Sequence, residues 1–160
     1  MISIIVVNTN GKEIIGECLT SLQNQNLKEN IEIIVVDNGS ADLSYEYISE
    51  KFPKVKLIRF TEKIGVARAN NEAFKIAQGD FIALINNDAV ADKYWLENLS
   101  KAIQKYPDVG SCTSKILFYD KKDVIDTAGD DFSIFGYGKK RGHNKNKENY
   151  NKLEEVLSVS

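Results

Sequence analysis

Histidine and tryptophan occur once each in this chain of 160 residues, and proline and cysteine only twice each. The two cysteines, Cys18 and Cys112, are far apart and lack the close pairing of a zinc site. They read as buried thiols of a reducing compartment. The lone histidine, His143, sits in a stretch rich in Lys and Asn and reads as a bystander. No apolar run approaches the roughly 18 residues of a membrane span. The first residues carry neither the basic start nor the cleavage site of a signal peptide. The expected location is therefore the cytoplasm, with attachment at the inner membrane surface left open. A net charge of −2 gives no basic footprint for nucleic acid. Phosphate-binding glycine motifs are also missing. No Gly-rich loop ends in Lys-Ser or Lys-Thr, and no Gly-x-Gly-x-x-Gly follows the first apolar run. Gly136-Tyr137-Gly138 falls in an irregular stretch, where such a pattern carries no meaning.

What is present is an alternation. Apolar runs at residues 2–7, 31–36, 55–60 and 81–85 read as strands. Between them, helical spacing is expected around residues 14–22, 43–52 and 66–77, with a further helix at 93–106 capped by Asp92. Asn10 with Glu13 three residues on has the pattern of a helix N-cap. Residues 109–118 read as another extended segment. Strands alternating with helices predict an α/β fold with a largely parallel central sheet and flanking helices. The run Phe81-Ile82-Ala83-Leu84-Ile85 suits a strand buried on both faces. One domain is expected over residues 1–160, with a core at 1–118, a further segment at 119–160 and a mobile loop near 141–152.

Three of these strands end in small polar residues. Residues 2–7 lead to Asn8-Thr9-Asn10, residues 31–36 to Asp37-Asn38-Gly39-Ser40, and the fourth strand to Asn86-Asn87-Asp88. Ligands of open α/β sheets bind outside the carboxyl ends of the strands. The three ends therefore predict one shared site. Such a site can hydrogen-bond a base and ribose, and one carboxylate can share a divalent cation with substrate phosphates. Asp88 is the candidate for that cation. Each residue also has a plainer reading. Asp37 before Gly39 can open an Asx-turn, Asp88 can cap a helix, and Asn86 and Asn87 can tie up strand-end backbone. Asn70 falls in the apolar stripe of its helix, where it can bond structurally or meet a donor. Arg68 falls on the polar face, and Trp95 on an apolar one.

In order, Ser3-Ile4-Ile5-Val6-Val7-Asn8-Thr9-Asn10, Val36-Asp37-Asn38-Gly39-Ser40, Ile64-Gly65-Val66-Ala67-Arg68-Ala69-Asn70-Asn71 and Leu84-Ile85-Asn86-Asn87-Asp88 resemble the family 2 glycosyltransferases. The likeness is to the rhamnosyltransferase-like branch and covers about residues 1–118. It implies a Rossmann-like GT-A fold that transfers sugar from a nucleotide-diphosphate sugar donor to a glycan or lipid-linked acceptor, with inversion. A role in cell-surface polysaccharide biosynthesis follows from the same likeness. Thr9 and Asp37 would contact the base. Asn86 would replace the first acid of an Asp-x-Asp motif and face the ribose, and Asp88 would bind Mg²⁺ or Mn²⁺. The implied nucleotide-sugar site comprises Asn8, Thr9, Asn10, Asp37, Asn38, Gly39, Gly65, Arg68, Asn70, Asn71, Asn86 and Asn87. Lys63 and Ala73 depart from the branch's usual Asn and Gly. The family's catalytic base follows the region where this chain ends, and Leu157-Ser158-Val159-Ser160 reads as an interrupted strand. The expectation is a fold truncated at its C-terminal side. A nucleotide-binding module without turnover is the alternative. A nucleotidyltransferase comes third, because Asn8-Thr9-Asn10-Gly11 does not supply its Gly-rich, Arg-containing loop.

Overall fold

The computed structural model describes residues 1–156. The expected strand at residues 157–160 lies outside them. The chain divides into two compact units, Met1–Tyr94 and one that starts at Trp95.

The first unit is a parallel sheet with the strand order β3-β2-β1-β4. Its strands are β1 (Ile2–Asn8), β2 (Ile31–Asn38), β3 (Lys56–Phe60) and β4 (Phe81–Leu84). The linking helices are α1 (Ile15–Gln23), α2 (Ser44–Lys51) and α3 (Val66–Phe74). β1 and β2 lie inside the sheet, so both of their faces are covered. Ile4, Ile5, Val6, Ile34, Val35 and Val36 are all buried. This is why their sequences read as continuous apolar runs with no alternation. On one face, Ile5, Ile34 and Val36 pack with Ala69 and Ala73 of α3. Two alanines on the buried stripe let that helix lie close to the sheet. α1 buries Ile15, Cys18, Leu19 and Leu22 at helical spacing.

At the amino ends of the strands, a single carboxylate gathers four segments. Glu32 of β2 accepts from Ser3 Oγ, from Lys56 Nζ at 2.5 Å and from the Gln78 N–H at 2.5 Å. Ser3 Oγ in turn accepts the Gly79 N–H at 2.8 Å. This network fixes the entry to β4.

Two local expectations need correction. β4 is not buried on both faces: Phe81, Ile82 and Leu84 are exposed, Leu84 by 53%. The reason is its place at the end of the strand order, with β1 as its one partner strand among the described residues. Asn10 does not cap α1, which begins at Ile15 without a side-chain cap. Asn10 instead adopts a positive φ of 52° and spends its side chain on the Ala41 N–H, 2.8 Å away. Asp92 accepts the Tyr94 N–H at 2.9 Å, the side-chain bond expected of it ahead of the helix that starts at Trp95.

The second unit opens with α4 (Trp95–Lys105). The indole of Trp95 is half-buried and donates to Ser114 Oγ at 2.7 Å. The extended segment expected at 109–118 contracts to β5 (Ile116–Leu117), paired antiparallel with β6 (Ile125–Thr127). A hairpin of β7 (Asp130–Phe132) and β8 (Gly138–Lys140) follows. Residues 141–152, read from sequence as a loop, hold a hydrogen-bonded turn and the 3-10 helix Lys147–Tyr150.

Candidate functional site

The carboxyl ends of β2, β1 and β4 lie side by side, as the shared-site argument requires. Asn8 and Asp37 are direct register partners on neighbouring strands, and both are fully buried. Parallel pairing without a register shift brings the two polar residues level as soon as the apolar runs end. The Asn8 amide donates to Asp37 Oδ1 at 3.3 Å and to Ser40 Oγ at 3.4 Å. Its oxygen accepts from Asn87 Nδ2 at 2.8 Å. Asn8 thus links the ends of all three strands.

The second oxygen of Asp37, Oδ2, is buried and has no hydrogen-bond partner. Leaving a buried acceptor unmet costs roughly 1–3 kcal/mol, and more for a charged one. A group of this kind at the convergence of strand ends can receive a donor from outside the chain, water or ligand.

The surrounding loops are pinned to one another. Ser40 Oγ accepts the Asn10 N–H at 2.9 Å. Asp42 accepts the Lys12 N–H at 2.9 Å. Gly39 has φ +70°, and a Cβ there would meet the Glu62 carbonyl carbon at 2.6 Å. Gly11 sits against the linked amides: a Cβ would collide with Asn8 Oδ1 and Asn87 Nδ2.

The expected residues separate into groups. Asn8, Asn10, Asp37 and Asn87 are joined directly or through Ser40. Thr9 lies between Asn8 and Asn10 and is half-buried. Asn38 turns elsewhere, its Oδ1 accepting the Ile64 N–H at 2.8 Å ahead of α3. Gly65, with φ +85°, begins α3; Arg68 and Asn71 are exposed, and Asn70 is half-buried. Among the described residues, no hydrogen bond joins these four, or Asp88, to the Asn8 network. Asn86 is exposed, and its carbonyl accepts the Ala89 N–H at 3.2 Å and the Cys18 thiol at 3.5 Å. Burial pushes that thiol up to about 12, and the negative charge of Asp88 adds to the rise. Asp88 itself is exposed. Sequence reasoning left out Ser40 and Gly11. Their signal was position alone, each closing a polar cluster directly after a buried strand.

No group of three or more His, Cys, Asp or Glu side chains among the described residues is placed to hold a metal. The donor set at Asp88 is one exposed carboxylate. It suits Mg²⁺ or Mn²⁺ where phosphate oxygens complete the shell, which is the common way for such ions to be held. Three acids of the second unit are ion-paired within it: Asp123 with Lys147 at 2.6 Å, Asp126 with Lys140 at 2.8 Å, and Glu154 with Arg141.

The chain is similar to several known proteins. Glycosyltransferase GlyG of Streptococcus pneumoniae is 29% identical over 141 residues, covering 84% of this chain and 46% of that protein. The poly(ribitol-phosphate) beta-glucosyltransferase of Bacillus spizizenii is 39% identical over 92 residues, covering 54% of this chain and 14% of that one. Among solved structures, a mannosyltransferase of Pyrobaculum calidifontis in complex with GDP-Man and Mn²⁺ superposes with a TM-score of 0.65 at 27% identity. That match covers 73% of this chain and 35% of the other. The chain spans less than half the length of each of these proteins. The parallel sheet and its flanking helices are those of the GT-A glycosyltransferases. The family model described as Glycosyl transferase family 2 matches residues 3–155, so the chain belongs to the family 2 glycosyltransferases.

Proposed function

We propose that this chain holds the nucleoside diphosphate of a sugar donor, as the donor-binding part of a transferase that inverts the anomeric carbon. The observation that carries the reading is the buried Oδ2 of Asp37, unmet at the junction of three strand ends. An acceptor at that point can take the ring N–H of a base, the donor assigned to it in this reading in preference to an exocyclic amino group. Uracil, thymine and guanine have one; cytosine and adenine do not. Thr9 follows Asn8 at the end of the neighbouring strand β1 and contacts the base with Asp37. Asn86 and Asn87 lead toward the ribose and Asp88 toward the diphosphate. Asp88 is the residue that would hold Mg²⁺ or Mn²⁺, and the cation would offset the charge of the departing diphosphate. The likeness to a GDP-Man and Mn²⁺ complex supports both parts. Gly65, Arg68, Asn70 and Asn71 would flank the donor from α3.

The bond-forming base is not assigned to this chain. Asp123, Asp126 and Glu154 are held by cations of their own unit. Residues 1–118 serve as the donor core and 119–160 as the start of the acceptor side. The acceptor is a glycan or a lipid-linked sugar, and the work is done at the inner membrane surface in building surface polysaccharide.

Calorimetry tests the reading. The whole chain is titrated with UDP, GDP, CDP and ADP in the presence of Mn²⁺. UDP or GDP should bind at least tenfold more tightly than CDP and ADP. Equal affinity for all four, or none, would remove the assigned role of Asp37.

A further inference from the structure

The hairpin β7–β8 ends in an apolar tip that nothing in the nucleotide site uses. Its turn is tightly built. The Ser133 carbonyl accepts the Gly136 N–H at 2.9 Å, and Ser133 Oγ accepts the Phe135 N–H at 3.0 Å. Gly136 has φ +81°, and the Ser133 N–H donates to the Tyr137 carbonyl at 2.9 Å. A turn closed by glycine in the left-handed region is a standard hairpin loop. This one holds Ile134 and Phe135 outward at its apex. Phe132 is 62% exposed, Ile134 96%, Phe135 79% and Tyr137 60%. A hydrogen-bonded turn that offers four large apolar side chains to solvent is unusual, because such surface is normally covered.

The hairpin strands carry both signs, Asp130 and Asp131 facing Lys140 and Lys139 in register, and the run after them is basic. From residue 132 to residue 147 there are five basic residues, Lys139, Lys140, Arg141, Lys145 and Lys147, and no acid. Lys140, Arg141 and Lys147 are paired with acids from outside the stretch. Lys139 and Lys145 are exposed and have no ion-pair partner among the described residues.

We propose that this tip is a membrane wedge that enters the headgroup region of an anionic bilayer. Apolar and aromatic side chains with lysines behind them are what interfacial anchoring requires. A sugar-binding role fits less well. A sugar platform uses open aromatic faces, and Phe135 and Tyr137 each turn one face to the other, with centroids 6.5 Å apart and planes 10° from parallel. Ile134, the most exposed of the four, gives a sugar nothing. The inference stands apart from the nucleotide reading, since no residue is shared.

The test is co-sedimentation of the whole chain with vesicles of phosphatidylglycerol and phosphatidylcholine, and with phosphatidylcholine alone. Binding should favour the anionic vesicles and fall as salt rises. The double variant Ile134→Ser/Phe135→Ser should lower partition at least tenfold. Lys139→Glu/Lys145→Glu should lower it only on the anionic vesicles. Far-UV circular dichroism and nucleotide affinity should stay unchanged in both variants, which separates this idea from a failure of the donor site. Absence of sedimentation, or full retention by Ile134→Ser/Phe135→Ser, would overturn the proposal. So would a lipid-free dimer abolished by that same double variant, which would give the tip to a second copy.

Discussion

Replacing Asp37 with Asn separates function from stability at one atom. The native carboxylate is buried, receives one long bond from Asn8 at 3.3 Å, and leaves Oδ2 unmet. Asn keeps an oxygen for Asn8 but places an NH₂ where Oδ2 stood. In the unliganded chain this removes a buried charge with only half of its hydrogen bonds made. Stability should stay level or rise by about 1 kcal/mol, which shifts Tm upward by roughly 2–4 °C in a chain of this size. In the liganded chain the same change sets a donor against a ring N–H. The loss of a hydrogen bond to a charged group is about 1.5–3 kcal/mol. That corresponds to a Kd for UDP or GDP about 10- to 150-fold weaker. Asp37→Ala is the control. It should weaken binding equally but lower stability, because Asn8 Nδ2 loses a buried partner. Calorimetry gives the Kd, and thermal unfolding followed by circular dichroism gives Tm. Asp37→Asn with a Kd within twofold of the native chain, or with Tm several degrees lower, would refute the reasoning.

Three further outcomes are expected. For Glu32, burial pushes the carboxyl up, but hydrogen bonds from Lys56, Ser3 and the Gln78 N–H outweigh it and hold it down to about 2, from an ordinary 4.5. Its folded value is the lower one, so the stabilisation is complete above pH 4.5 and is lost as pH falls toward 2. The full shift would be ~3 kcal/mol; Lys56 is 41% exposed and screened by water, so about 1–2 kcal/mol is expected. Urea unfolding at pH 7 and pH 3 should show that difference shrinking in Glu32→Gln. Asp88→Ala should abolish the gain in nucleotide affinity produced by Mn²⁺ and leave metal-free binding unchanged; titrations with Mn²⁺ and with EDTA decide it. Gly11→Ala should push apart the Asn8 and Asn87 amides, costing about 1–3 kcal/mol in unfolding experiments and weakening nucleotide binding with it.

The sheet was readable because its signal is redundant. β1 and β2 are buried on both faces, and their apolar runs say so without reference to anything distant. The junction at Asn8 and Asp37 was readable for the same reason, since parallel pairing in register puts the ends of such runs level. Asn10 misled because an Asn followed by Glu three residues on describes a cap equally well when the side chain is used by another loop. Ala41 lies 31 residues away, and no local pattern announces it. β4 misled because an apolar run reports composition and not position, and Phe81 to Leu84 would read the same in the middle of a sheet. Asn38 stands in the same polar cluster, and no local pattern announces that its side chain holds the approach to α3. Ser40 and Gly11 went unassigned because a hydroxyl bridge and a missing Cβ have no period and no motif.

The two edges of the sheet differ in kind. β3 presents Lys56 and Arg59, each drawn into an ion pair, with the Arg59 guanidinium 4.4 Å from the Tyr45 ring centroid. Charged side chains of this sort discourage another strand from joining. β4 presents Phe, Ile, Ala and Leu, with no charge in the strand. Growth of the sheet is therefore polar, closed on the β3 side and open on the β4 side. Any strand recruited to this unit, whether from its own chain or from a neighbour at high concentration, will be accepted next to β4. Residues 1–94 expressed alone should accordingly self-associate in a concentration-dependent way, and a single lysine at Ile82 or Leu84 should keep them apart.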